Sequence, residues 1–279
     1  MLEIKNISNI FRNRIVLGDF EILLSKIIGK DKVFLHTHPE YKLNLLEILK
    51  LIYFIVEYMR GYSVAAIIEK KGFYNLNFFV NKHVLIPRPE TELMVDEVLS
   101  EVHSSTKKIL LIDVGTGSGC IPISILKNTD KIHHTIALDI SNPALKVAKN
   151  NIQTHDVNIE LLKSFLLSKI SHQDTNTYNE IIITANLPYL TTDQVKQESS
   201  IQKEPTIALI AKENGLALYR QLLKQIVQKF VNKKLLILFE IDPTQTAQII
   251  MLAKNYLPQA KLEIKKDLAG LDRILKIST

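Results

Sequence analysis

Apolar positions recur at helical spacing in two early blocks, Ile15–Ile28 and Leu43–Met59, with Pro39 between them and Gly61 placed to end the second helix. Residues 1–71 therefore read as a small helical domain. The pattern then changes. Residues 72–86 are rich in aromatic and β-branched side chains, and Asn81-Lys82 is the expected turn, so 72–89 is read as a β-hairpin linker. Pro87 and Pro89 stiffen the chain before a helix that runs to about Val102.

From Lys108 onward, short continuous apolar runs alternate with helical patterns. KILLIDV has the composition of a parallel strand buried on both faces. It is followed by a helix at 119–128, a strand at 135–139, a helix at 142–153 and strands at 158–162 and 180–186. Further on come a helix at 214–231, a strand at 234–241, a helix at 243–255 and strands near 259–266 and 272–278. Alternating strand and helix predict an α/β doubly wound, mostly parallel sheet for residues 90–279. The last two strands have no helix between them, so one strand is expected to be antiparallel.

Composition narrows the class without deciding it. Apolar residues make up 46% and charged residues 23% of the 279, ample for a folded core. The net charge of +6 suits work near nucleic acid or a ribosomal factor, and equally a Lys-rich solvated surface. The single cysteine, Cys120, excludes an internal disulfide and reads as a small packed residue. The start, MLEIKNISNIF, lacks a secretory apolar core, and Glu47, Lys50 and Glu57 interrupt the most apolar stretch. A cytoplasmic, membrane-free, monomeric protein is expected. His36/His38 and His133/His134 lack convergent ligand spacing, so no metal site is expected.

Chemistry concentrates in two loops. The first is Asp113-Val-Gly115-Thr116-Gly117-Ser118-Gly119, leaving a buried strand and entering a helix. Glycines there let a ligand approach the main chain. An acid at the strand end would repel a pyrophosphate but can pair with the ammonium of a methionine moiety. Asp139, ending the next strand, can accept both hydroxyls of a ribose. Ser141 or Asn142 can cap the helix that follows. The second loop is Asn186-Leu187-Pro188-Tyr189, at the carboxyl end of a strand. The Asn186 side-chain oxygen and the Leu187 carbonyl can each accept one N–H of a planar –NH2 group. Pro188 stiffens the loop and Tyr189 offers a stacking face. An amide nitrogen is a poor nucleophile, so such a site works by positioning and electrostatics, with no strong base.

Together these residues resemble the peptide chain release factor N(5)-glutamine methyltransferases over nearly the whole chain. The family's linker motif Pro-Arg-Pro-Glu-Thr-Glu stands unchanged at 87–92, its glycine loop at 113–119, and its Asn-Pro-Pro-Tyr motif as Asn186-Leu187-Pro188-Tyr189. Glu204-Pro205, Gly215-Leu216, Tyr219-Arg220, Glu240-Ile241 with Gln245, and Asp267 with Gly270, Asp272 and Arg273 match its later signatures. The resemblance implies a class I (Rossmann-like) methyltransferase that carries a methyl group from S-adenosylmethionine to a glutamine of the release factors' Gly-Gly-Gln tripeptide. It places the cofactor on Asp113, Gly115, Thr116, Gly117, Ser118, Gly119, Asp139, Phe165, Leu166 and Asn186, with Asn186, Leu187, Pro188 and Tyr189 as the catalytic loop. Arg88, Glu90, Thr91 and Glu92 are expected on the substrate side, touching substrate or tying the linker to the catalytic domain. No stable nucleic-acid binding is expected.

Three positions depart from the family pattern: Leu187 for a proline, Phe165 for an acid and Asp242 for a glycine. The competing readings are methylation of an exocyclic base amine, methylation of a ribosomal-protein glutamine, and a catalytically silent cofactor-binding partner of translation.

Overall fold

The protein is described by a computed structural model covering residues 3–11, 14–171, 175–198 and 201–279. The chain clusters into two compact units, Met1–Glu69 with Ser199–Lys203, and Lys70–Glu198 with Glu204–Thr279. Among the described residues no helix is long and apolar enough to cross a membrane.

The first unit is helical: α1 (Ile4–Phe11), α2 (Leu17–Ile28), α3 (Lys32–Thr37), α4 (Leu45–Met59) and α5 (Val64–Ile68). Ile7, Phe20, Leu24, Leu43, Leu51 and Ile55 form its core. The longest helix starts on a reciprocal cap. Asn44 Oδ1 accepts the Glu47 N–H at 2.9 Å and Glu47 Oε2 accepts the Asn44 N–H at 2.8 Å. It stops at Gly61, whose φ of 90° is open to glycine at little cost.

The second unit opens with a hairpin, β1 (Lys70–Phe73) and β2 (Leu76–Phe79). Its turn is Tyr74-Asn75, not Asn81-Lys82. Both turn residues take positive φ, 48° and 58°, the twist a two-residue hairpin needs. Asn81 serves a later turn, where its Oδ1 accepts the His83 N–H at 3.0 Å. After a 3-10 turn at Pro89–Thr91 come α6 (Glu92–Val102), β3 (Ile109–Val114), α7 (Cys120–Asn128), β4 (Ile132–Asp139), α8 (Asn142–His155), β5 (Glu160–Lys163) and β6 (Glu180–Ala185). Then follow α9 (Thr192–Gln197), α10 (Thr206–Leu209), α11 (Ala217–Lys229), β7 (Lys234–Glu240), α12 (Thr246–Tyr256), β8 (Lys261–Lys266) and β9 (Asp272–Ser278).

The seven strands lie in the order β5-β4-β3-β6-β7-β9-β8. All pairs from β5 to β7 are parallel, and β9 runs antiparallel to both β7 and β8. The chain order reverses at β3, whose neighbours are β4 and β6. In open α/β sheets the crevice at such a switch point, beyond the carboxyl ends of the strands, is where ligands bind. The expected helix at 214 starts only at Ala217, because Glu213, Asn214 and Gly215 all have positive φ.

Candidate active site

The carboxyl end of β3 turns through Gly115, Gly117 and Gly119 at φ 77°, 54° and 79°, conformations that exact a cost from any side chain. The turn is anchored on the neighbouring strand. Gly115 and Thr116 donate their N–H groups to the Leu138 carbonyl at 2.8 and 2.9 Å, and Gly117 donates to Asp139 Oδ2 at 2.9 Å. Asp139 Oδ1 takes the Ser141 N–H at 2.8 Å. Each of these carboxylate oxygens keeps a lone pair for a further donor. Burial raises the Asp139 pKa, against the pull of the Ser141, Gly117 and Ile140 N–H groups. Ser141, rather than Asn142, caps α8, accepting the Ala144 N–H at 3.3 Å.

Asp113 does not line the cleft. It is 1% exposed beneath the turn, its Oδ1 accepting the Thr184 hydroxyl at 2.7 Å. Burial pushes its pKa up to about 6, with Thr116 and Thr184 pulling the other way. Its Oδ1 thus leans onto the adjacent strand β6, and its buried Oδ2 has no hydrogen-bond partner among the described residues. A residue without any sequence signal secures the same turn from behind. Asn151, fully buried on α8, donates to the carbonyls of Ser118 at 2.8 Å and Phe79 at 2.9 Å, and accepts the Phe79 N–H at 2.7 Å.

The acceptor loop leaves β6 and crosses the glycine turn. A Cβ on Gly115 would lie 3.1 Å from Leu187 Cδ2 and 3.9 Å from the Asn186 carbonyl oxygen. Asn186 is half-buried and donates through Nδ2 to Thr91 Oγ1 at 3.3 Å. Leu187 gives its N–H to the Tyr219 hydroxyl oxygen at 3.3 Å, a bond that the family's proline could not make. Tyr189 does not line the cleft. Its hydroxyl donates to Glu240 Oε1 at 3.2 Å, and its carbonyl accepts Gln245 Nε2 at 2.8 Å. Its hydroxyl and carbonyl are thus both engaged by the residues beneath the loop.

Asp242 finds a purpose in the same brace. It caps the 3-10 turn Pro243–Gln245, accepting the Thr244 N–H at 2.9 Å, while Gln245 Oε1 accepts the Asp242 N–H at 3.4 Å. Gln245 is thereby turned so that its amide nitrogen reaches Tyr189 and, at 2.7 Å, the Asn214 carbonyl.

The linker motif divides. Arg88 lines the cleft and pairs with Glu204, whose Oε2 also accepts the Ile86 N–H at 3.1 Å. Burial raises the Glu204 pKa and Arg88 opposes that rise. Thr91 lines the cleft and holds Asn186. Glu92 faces the hairpin instead, accepting the Tyr74 N–H at 2.8 Å, and Glu90 is not on the cleft wall.

The cleft is therefore walled by Gly115, Thr116, Gly117 and Ser118 of the turn, by Asp139, and by Asn186, Leu187 and Pro188. Phe165 and Leu166 line it as well, and Phe165 is 41% exposed. Gly119 stands behind the wall, where a Cβ would come within 3.1 Å of Ile123 Cδ1. Cys120 is buried with its thiol pushed up to about 12, which suits packing and not nucleophilic chemistry. Among the described residues no group of three or more His, Cys, Asp or Glu side chains is placed to hold a metal ion.

Comparison with known proteins bears on the family and the fold. Residues 90–202 match the methyltransferase small domain family. The release factor glutamine methyltransferase of Mycoplasma mycoides is 36% identical, with 95% of this chain and 92% of that protein aligned. That of Flavobacterium psychrophilum is 28% identical over 99% and 96%. Among solved structures, the N-terminal domain of human METTL16 in complex with SAH superposes with a TM-score of 0.51 at 13% identity, covering 92% of this chain and 94% of that one. The fold is that of the Rossmann-like methyltransferases.

Proposed function

The chain belongs to the release factor glutamine methyltransferase family, and we propose that it transfers a methyl group from S-adenosylmethionine to the side-chain amide nitrogen of the Gly-Gly-Gln glutamine in a peptide chain release factor. A translation factor as substrate assigns the work to the cytoplasm.

The cleft fits the cofactor on three counts. The glycine turn at the carboxyl end of β3 brings main chain to the cleft wall at Gly115 and Gly117, both at positive φ. Asp139 sits at the end of β4 with acceptor capacity for ribose hydroxyls. The exposed ring of Phe165 suits the face of a purine, in place of a polar contact from an acid. The Asp139 carboxylate on the cleft wall opposes a phosphate ligand. When bound, S-adenosylmethionine supplies a methyl group on a cationic sulfur.

The remaining work is orientation. With Asn186 Nδ2 held on Thr91, the amide plane directs Oδ1 the other way, free to accept one N–H of the glutamine amide. The Leu187 carbonyl accepts the second. Two acceptors on the hydrogens raise electron density on nitrogen and fix its lone pair. One of the two N–H protons passes to water as the nitrogen gains its carbon. The observation that supports this reading is the close approach of the two loops at Gly115, where an added Cβ would lie 3.1 Å from Leu187 Cδ2 and 3.9 Å from the Asn186 carbonyl oxygen.

The test is a methyl-labelled cofactor mixed with a purified bacterial release factor, and mapping of the label by mass spectrometry. Label on the Gly-Gly-Gln glutamine is expected, with Asn186→Ala lowering kcat by about 100-fold or more. Label on nucleic acid or on a ribosomal protein, with none on the release factor, overturns the proposal.

A further inference from the structure

We propose that Arg88, held on the cleft wall by Glu204, is the receptor for the α-carboxylate in the methionine tail of S-adenosylmethionine. The assignment rests on the reading that this cofactor occupies the cleft.

Among the described residues the wall carries one acidic and one permanently basic side chain, Asp139 and Arg88. Asp139 ends β4 and Asn186 follows β6, on either side of β3. A nucleoside with its ribose on Asp139 and its methyl directed at Asn186 has its sulfur at the Asn186 end of the cleft. The amino-acid tail leaves from that same sulfur. Arg88 belongs to that end. The Thr91 N–H donates to the Arg88 carbonyl at 3.1 Å, and Thr91 Oγ1 accepts Asn186 Nδ2 at 3.3 Å. One turn therefore carries both the cation and the grip on the acceptor loop.

The guanidinium is fixed before any ligand arrives. Its Nη2 donates to Glu204 Oε1, while Glu204 Oε2 accepts the Ile86 N–H at 3.1 Å, on the linker just before Arg88. The Glu204 side chain is 6% exposed and that of Arg88 is 29% exposed, so the carboxylate is buried while the cation keeps surface at the cleft. An arginine presents several N–H donors in a planar fork. Among the described residues the Arg88 side chain donates to Glu204 alone, which leaves donors for a second carboxylate. Glu204 also offsets the Arg88 charge, so the pair can stand near a sulfonium without expelling it and still form charge-assisted bonds to an anion.

The experiment is calorimetry with S-adenosylhomocysteine and with its decarboxylated form, which keeps the nucleoside, the sulfur and the amine. The proteins compared are wild type, Arg88→Gln, Arg88→Lys and His83→Ala, the last removing the other basic side chain on the wall. Arg88→Gln is expected to weaken S-adenosylhomocysteine by about 10- to 100-fold and the decarboxylated form by no more than about twofold. Arg88→Lys should lose about three- to tenfold for S-adenosylhomocysteine alone, because an ammonium lacks the fork that serves two carboxylates at once. His83→Ala should leave both Kd values within about twofold. If Arg88→Gln does not fold, Arg88→Lys decides on the same two ligands. Equal weakening of both ligands in the Arg88 variants would give the residue a structural role only. Unchanged S-adenosylhomocysteine affinity with a raised KM for the release factor would assign it to the protein substrate. Either result overturns the proposal, as does a carboxylate-dependent loss confined to His83→Ala. Wild type that binds neither ligand refutes the cofactor reading itself, and that arm is read first.

Discussion

The two loops that meet over the cleft are held in opposite ways. The glycine turn is fixed by the end of its neighbouring strand: the Leu138 carbonyl and the Asp139 carboxylate take three of its N–H groups. The acceptor loop is fixed by side chains from distant parts of the chain, Thr91, Tyr219, Glu240 and Gln245. A turn built on its neighbour's main chain tolerates drift in side chains elsewhere. A loop clamped by four scattered side chains is exact only while all four agree. The glycine-turn side of the cleft is thus a local device and the Asn186–Tyr189 side a collective one.

Gly215 offers the sharpest way to break that contrast. Its φ is +87°, and a Cβ there would lie 2.1 Å from both the Tyr189 carbonyl oxygen and Gln245 Nε2. Gly215→Ala must push the clamp off the acceptor loop. The expected outcome is a loss of kcat on the order of 100-fold or more, with cofactor affinity by calorimetry little changed. Gly117→Ala is the counterpart. Its φ is +54°, and the nearest atom to an added Cβ, the Gly115 carbonyl oxygen, is 4.0 Å away. The cost there should be about 1 kcal/mol and should fall on cofactor binding. Equal losses of both properties in both variants would erase the distinction.

The same contrast decides what the sequence could reveal. The alternating sheet was legible because buried strands such as ILLIDV are continuous apolar runs bounded by turns. The glycine turn was legible because its residues, Gly115 to Gly119, lie in one strand-turn-helix unit and Asp139 ends the next strand. The acceptor clamp was not. Nothing periodic links Thr91 to Asn186, or Gln245 to Tyr189, and only the fold brings them together. The same limit hid the burial of Asp113 and the commitment of Tyr189 to Glu240, since both depend on neighbouring strands. Asp242, a bare departure in the sequence, acquires its reason only as the cap that orients Gln245.

A collective site concentrates buried polar groups, and stability should register it. Glu240 is raised by burial from 4.5 to about 7 and Asp113 from 3.8 to about 6. A carboxyl with a raised folded pKa stabilises the fold while protonated. For Glu240 that contribution is complete below about 4.5 and is lost as pH rises through about 7. Urea unfolding should therefore give a smaller free energy at pH 8 than at pH 5.5. Glu240→Gln should remove on the order of 2 kcal/mol of that difference, leaving the part due to Asp113. An unchanged pH dependence in the variant would mean that the charge at Glu240 is already compensated. The ionised state of Glu240 is then the one that costs stability, a trade found at sites whose polar groups serve chemistry.

The smallest effect tests the clamp bond by bond. Tyr219→Phe removes the hydroxyl that takes the Leu187 N–H and so strands a donor in a buried backbone, at a cost of about 1–3 kcal/mol. Leu187→Pro removes the donor itself, and the ring fixes φ without help from Tyr219. On a Leu187→Pro background the stranding term vanishes and Tyr219→Phe loses only its bond to the Glu240 carbonyl. The two substitutions should therefore couple by about 1 kcal/mol in transition-state stabilisation, measured from kcat/KM over the four proteins. Leu187→Pro alone should change kcat by no more than about threefold, because the carbonyl that receives the acceptor N–H is kept. Additive effects would mean that Tyr219 braces the loop only through Glu240, and that the leucine in place of the family's proline is not balanced by this hydroxyl.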